Sequence, residues 1–117
     1  MLRSATKLQI ENWIKEADDL LSRGDVVQAS EKYYKAAEEA IKLLSIRKNL
    51  SILRTVENQK RWASSILFEA AKNLGGEIYR IWHSARYLHV FGFHEMALDK
   101  SDVGKISIRV KKIFSFI

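Results

Sequence analysis

Residues 17–44, ADDLLSRGDVVQASEKYYKAAEEAIKLL, read as two helices joined by a tight Gly24-Asp25 turn. Upstream, Ile10, Trp13, Ile14, Ala17, Leu20 and Leu21 recur at helical spacing on one face, while Glu11, Lys15, Asp18 and Asp19 point away. Gly24 supplies the left-handed residue that ends such a helix, and Asp25 is a good N-cap for the next. In the second helix Val26, Ala29, Tyr33, Ala36, Ala37, Ala40, Ile41 and Leu44 share a face. Small residues there let neighbouring helices approach closely, so this helix is expected at the centre of a bundle. Its outer face offers Glu31 to Lys35 and Glu38 to Lys42, each acid four residues before its base, the favourable order. The hairpin also resembles one tetratricopeptide-type unit, but no second copy follows to build a solenoid.

Working outward, residues 45–58 lose the helical period and are expected to connect the two halves. A third helix is expected from about Glu57 to Leu74, burying Trp62, Ile66, Leu67, Ala70 and Leu74, with Gly75 and Gly76 breaking it. A fourth starts at Glu77 and keeps one apolar face through Gly92 to Leu98, with a kink at Gly92 as the alternative. Asp99 or Ser101 caps a fifth, whose Val103, Ile106, Val110, Ile113, Phe114 and Ile117 face inward. The expectation is an all-α, single-domain bundle of about five helices over residues 1–117, with Trp13, Tyr33, Ala37, Trp62, Ile81 and Ile113 buried.

Composition narrows the chemistry. The 117 residues contain no cysteine, which removes disulfides, thiolate metal sites and cysteine nucleophiles together, and no proline. No apolar run approaches membrane-spanning length, and Glu11 and Glu16 come too early for a secretory leader. A cytoplasmic protein with no membrane partner is expected. The final helix is basic and amphipathic, but its apolar face is needed to close a small core.

The net charge of +6 is unevenly spread: residues 1–45 carry −1 and residues 46–117 carry +7. A basic half can concentrate near a polyanion such as RNA; a merely solvated surface is the alternative. Arg47, Lys48 and Arg54 from the connection, with Lys105, Arg109, Lys111 and Lys112 from the last helix, are the candidate basic surface.

All three histidines fall between Tyr79 and Glu95. At the helical angle His89 lies on the apolar face between Trp82 and Ala85, the place of a hydrogen-bonded core histidine. Arg80, Tyr87, Phe91, His94 and Leu98, with His83 at the edge, form a second seam on the opposite side, expected to be a partner or subunit contact. The histidines do not share one face of an ideal helix and no carboxylate obviously joins them, so neither a metal nor another cofactor is expected. No Gly-rich phosphate loop, nucleophile elbow or paired-carboxylate arrangement is present.

Two segments, ASEKYYKAAEEAIKLL (Ala29–Leu44) and ARYLHVFGFHEMALDKSDV (Ala85–Val103), resemble the archaeal PaREP family of small helical proteins. The second contains the more specific motif, Leu88-His89-Val90-Phe91-Gly92-Phe93-His94-Glu95. The resemblance implies an archaeal origin and an up-and-down bundle similar to the higher-eukaryote-and-prokaryote nucleotide-binding (HEPN) proteins. Many of those are dimeric ribonucleases or toxin–antitoxin components, with an Arg followed by a His after four to six residues. Here two residues separate Arg80 from His83 and Arg86 from His89, and seven separate Arg86 from His94. Arg86 and His94 are therefore only weak catalytic candidates. The first expectation is a non-catalytic, self-associating homodimeric module, with RNA as the candidate partner. The alternatives are a protein-interaction adaptor and a HEPN-type ribonuclease.

Overall fold

A computed structural model describes residues 2–117. Among them are six α-helices: α1 (Lys7–Ser22), α2 (Val26–Arg47), α3 (Leu53–Gln59), α4 (Ser64–Leu74), α5 (Gly76–Tyr87) and α6 (Lys100–Lys111). A π-helical turn, Leu88–His94, continues α5, and a short 3-10 turn, Lys112–Phe116, follows α6. No strand occurs among the described residues, in agreement with the expected all-α class.

The opening hairpin forms as its residues dictate. Thr6 caps α1 through a reciprocal pair: Gln9 N–H donates to Thr6 Oγ1 at 3.1 Å, and Thr6 N–H donates to Gln9 Oε1 at 2.9 Å. Gly24 takes a left-handed φ of 85°, and the Asp25 carboxylate accepts from Gln28 N–H at 3.2 Å. The helix that follows is the centre of the molecule. α2 packs against α1, α4, α5, α6 and the π turn, and Ala29, Tyr33, Ala36, Ala37, Ala40 and Ile41 are buried along it. Alanine lets those neighbours close in, while Tyr33, Ile41 and Trp82 fill the core at roughly 1.5–3 kcal/mol for each large apolar side chain buried. Ser30 and Ser45 are buried too, and each satisfies its hydroxyl by donating to the carbonyl four residues back, Val26 and Ile41.

Three expected boundaries move. The connection is not irregular: α2 runs on to Arg47, and Leu53–Gln59 make a helix of their own, burying Leu53 and Val56. The expected third helix is split, because Lys60 adopts a left-handed φ of 56° and the chain turns there before restarting at Ser64. Trp62 sits at that turn and is only half-buried, as is Trp13, whereas Tyr33, Ala37, Ile81 and Ile113 are buried as expected.

The third change affects the fourth helix. It neither kinks at Gly92 nor reaches Leu98; it widens into π geometry over Leu88–His94 and stops there. Glu95 N–H donates to Val90 O at 2.9 Å, the i→i+5 bond of a π turn. Met96 then takes a left-handed φ of 52°, and Ala97 N–H closes the end on Phe91 O at 2.8 Å. Asp99 caps α6 with a second reciprocal pair: Asp102 N–H donates to Asp99 Oδ1, and Asp99 N–H to Asp102 Oδ2. No helix among the described residues is long and apolar enough to cross a membrane.

Candidate functional site

Two clusters of side chains carry chemistry, on either side of the strip formed by α5 and its π extension. The first is a shallow groove between α5 and α6, of about 450 Å³, lined by Arg80, His83, Ser84, Tyr87, Ile106 and Arg109. Beside it a smaller hollow is lined by Glu77, Arg80, Ile81, Arg109 and Lys112. The antiparallel crossing of α5 and α6 places Arg80 opposite Arg109 and Tyr87 opposite Ile106. Among the described residues Arg80, Arg109 and Lys112 make no ion pair with a carboxylate. Glu77 lines the smaller hollow with them outside ion-pair distance, and the three cations leave the site with a positive excess that can meet an external anion.

This groove joins Arg80, His83 and Tyr87 of the expected seam to Arg109 of the expected basic surface, with Lys112 in the adjoining hollow. Phe91 extends it, its ring 4.7 Å from Tyr87, and the two are 41% and 45% exposed. His83 is held at the rim by Tyr79 and Phe68, with ring centroids at 4.5 and 5.4 Å. The other seam residues go elsewhere. Leu98 lies past the end of the helix and packs against the core beside Gly92, while His94 turns to His89.

The basic surface does not form as one patch. Lys111 Nζ is paired with Asp18 Oδ1 at 3.1 Å and lies over the Tyr33 ring. Arg47 and Lys48 stand some fourteen residues further along α2, roughly 20 Å away at 1.5 Å per residue. Arg54 lines a separate hollow with Asn49, Ser51 and Glu57. Lys105, exposed one turn before Arg109, stays on the groove's side of α6.

The second cluster straddles α2 and the π turn. His89 Nδ1, facing a carboxylate, donates to Glu31 Oε1 at 2.8 Å, and the Nε2 atoms of His94 and His89 share a hydrogen bond at 3.0 Å. The His89 ring stacks on Tyr34 at 4.2 Å. Two sequence expectations fail here, each for its own reason. On an ideal α-helix residues five apart point about 140° apart, but an i→i+5 turn brings them nearly into line, so His89 and His94 do share a face. The carboxylate that joins them comes from Glu31, 58 positions earlier in the chain, which is therefore not spent on Lys35. Lys35 turns instead to Glu38 and Glu39.

Tyr34 links this cluster to a partly buried charge network. Its hydroxyl donates to Glu38 Oε1 at 2.9 Å, and Lys35 and Lys42 donate to Glu38 Oε2 at 3.3 and 3.4 Å. Burial alone would raise the Glu38 carboxyl, but Lys42, the Tyr34 hydroxyl and Lys35 outweigh it and hold it below the usual carboxylate range. Burial first, then the charge and hydrogen bond of Glu38, push the Tyr34 phenol well above its ordinary value, against a smaller opposing effect of Arg86. The Arg86 guanidinium lies 6.0 Å over the Tyr34 ring and 5.7 Å over Phe68. Arg86 is thus engaged by aromatic faces and His94 by His89. Among the described residues no three or more His, Asp or Glu side chains are placed to enclose a metal ion.

Comparison with known proteins agrees with this architecture. The model of the archaeal PaREP1/PaREP8 family matches residues 5–114, and the chain belongs to that family. A crystal structure of a protein from Sulfolobus solfataricus is 47% identical, covers 97% of this chain and 95% of that one, and superposes with a TM-score of 0.86. A solution structure of the same target, also 47% identical, covers 96% of this chain and 88% of that one, with a TM-score of 0.80. No curated protein matches the chain.

Proposed function

We propose that the protein is a non-catalytic binding module whose α5–α6 groove holds a single-stranded, phosphate-bearing partner, with RNA as the class. The supporting observation is the joint lining of that groove by Arg80 and Arg109, neither matched by a carboxylate, with the exposed Tyr87 ring between them and Phe91. Guanidinium groups meet phosphate through paired N–H donors, and exposed aromatic rings accept stacked bases without reading sequence. Binding of this kind is sequence-tolerant and steeply salt-dependent, because it releases counterions.

Fluorescence anisotropy of a labelled oligouridylate tests the proposal. Affinity is expected to fall by an order of magnitude or more between about 20 and 200 mM salt. Arg80→Glu with Arg109→Glu should abolish binding at low salt, and Arg47→Glu with Lys48→Glu should leave it nearly intact. Absence of binding in dilute buffer would reject RNA and favour the protein-interaction adaptor. Cleavage of the oligonucleotide, lost in Arg86→Ala or His94→Ala, would favour the HEPN-type ribonuclease instead.

The same exposed ring pair supports a second reading, self-association. A two-fold contact over Tyr87 and Phe91 buries the patch of both copies at once. Light scattering should then report a homodimer that Phe91→Ser converts to a monomer, and a wild-type monomer at high micromolar concentration would rule it out.

A further inference from the structure

The Glu31–His89–His94 chain lies outside the α5–α6 groove, and its geometry is that of a partly assembled metal site. With Nδ1–H of His89 given to Glu31, the tautomer is set and Nε2 is left with its lone pair. His94 directs its own Nε2 at the same point, 3.0 Å away. Two imidazole nitrogens that bind one ion at about 2.0–2.1 Å stand about 3.0–3.4 Å apart, so the observed spacing, that of an N–H···N hydrogen bond, is also short enough for the two to share an ion.

We propose that His89 and His94 bind one divalent first-row transition-metal ion through their Nε2 atoms, with Glu31 orienting His89 from behind. In the metal-free chain one proton occupies the gap, because two Nε2 lone pairs cannot face each other across 3.0 Å unshared. On binding, that proton moves through solvent to His94 Nδ1, and the ion sits off the line between the two Nε2 atoms, about 2.0–2.1 Å from each. A carboxylate, an imidazole and a metal in series is a common arrangement at histidine sites, where the carboxylate fixes the ring and raises its basicity. Imidazole ligation selects zinc, nickel or copper over magnesium or calcium.

The surroundings suit a fixed ligand and an open entrance. The His89 side chain is 18% exposed and its ring stacks on Tyr34 and Phe93, so its direction is set by packing. His94 is exposed and forms the solvent side. With no third protein ligand converging among the described residues, the ion keeps its remaining positions for water or an added ligand. The wide turn is what makes the pair, since an α-helical continuation would point His94 away.

None of these residues lines the α5–α6 groove, so metal binding and RNA binding are tested separately. Untagged, chelator-stripped protein is titrated with zinc chloride and with nickel chloride by calorimetry, and the histidine ring nitrogens are followed by ¹H–¹⁵N NMR. One equivalent is expected to bind, more tightly as pH rises because the ligating nitrogens must be unprotonated. The Nε2 signals of His89 and His94 should move together. His94→Ala, at an exposed position, should abolish binding, Glu31→Gln should weaken it about 10–100-fold, and His83→Ala should change nothing. Undiminished binding by His94→Ala, or no binding up to about 1 mM ion, would overturn the proposal.

Discussion

Replacing Gly92 by alanine adds a single methyl group at the tightest contact between the π turn and α2. A Cβ at position 92 would stand 2.3 Å from Ser30 Oγ and 2.6 Å from Ser30 Cβ. The hydroxyl can rotate away, but the Ser30 Cβ is fixed to the α2 backbone. Ordinary carbon–carbon contact begins near 3.5 Å, so the two segments must part by close to 1 Å. Overpacking of this kind costs about 1–3 kcal/mol. Removing a helical glycine works the other way, by roughly 0.5–1 kcal/mol, because alanine loses less backbone entropy on folding. The net expectation is a loss of about 1–2 kcal/mol, a fall of roughly 3–10 °C in Tm for a chain of this size. Urea denaturation followed by circular dichroism measures it. Ser30→Gly in the Gly92→Ala background should recover about 1 kcal/mol of the clash through a favourable coupling. If Gly92→Ala melts at or above the wild-type temperature, the close approach does not constrain the turn and the reasoning fails.

Asp99→Ala removes the cap shared with Asp102 and should cost about 1 kcal/mol in chemical denaturation; an unchanged midpoint would show that the cap contributes nothing. Glu38 is held below the usual carboxylate range when folded, so its contribution is present above the unfolded value of about 4.3 and is lost as pH falls through the lower folded value. Stability should therefore drop on acidification below that range, and less steeply in Glu38→Gln, which starts lower at neutral pH. Burial, then the hydrogen bond and charge of Asp18, push the Tyr33 phenol far above its ordinary value. That contribution is full below about pH 10 and declines as pH rises beyond it. Tyr33→Phe should flatten the alkaline limb of the stability profile, and an unaltered limb would refute the assignment.

The features legible in the sequence were those with a local cause. Gly24, Asp25 and Asp99 each act on backbone within three residues, and the alanine stripe of α2 follows from a strict helical period. Gly75, with its φ of 126°, likewise broke the chain where expected. The break at Lys60 carried no such mark. A lysine in the left-handed region is uncommon, and no Gly, Pro or capping side chain announces it. The candidate sites were legible only in part, because they depend on which helices meet. Arg80 and Arg109 were assigned to different surfaces, and only the α5–α6 crossing makes them neighbours. A uniform angle per residue puts His89 on the apolar face and His94 in the opposite seam. Glu31 was assigned to Lys35 because sequence spacing cannot see a partner on another helix.

The π turn also sets the rotational phase of everything around it. Each residue of an α-helix advances the direction of its side chain by about 100°, so the extra residue held in the wide turn acts as an angular offset rather than an added length. Deleting one residue between Leu88 and His94 would let the segment relax to α geometry. The core-facing residues of α5 before it would keep their direction, and those after it would change theirs little, because the wide turn already absorbs the extra residue. A deletion between His89 and His94 would leave the two four residues apart, a spacing that an α-helix also keeps on one face. One residue lost inside Leu88–His94 should therefore be tolerated better than one lost from the α-helical part of α5, and tolerance to single-residue deletions, scanned from Ala85 to Leu98, would map where the phase is held.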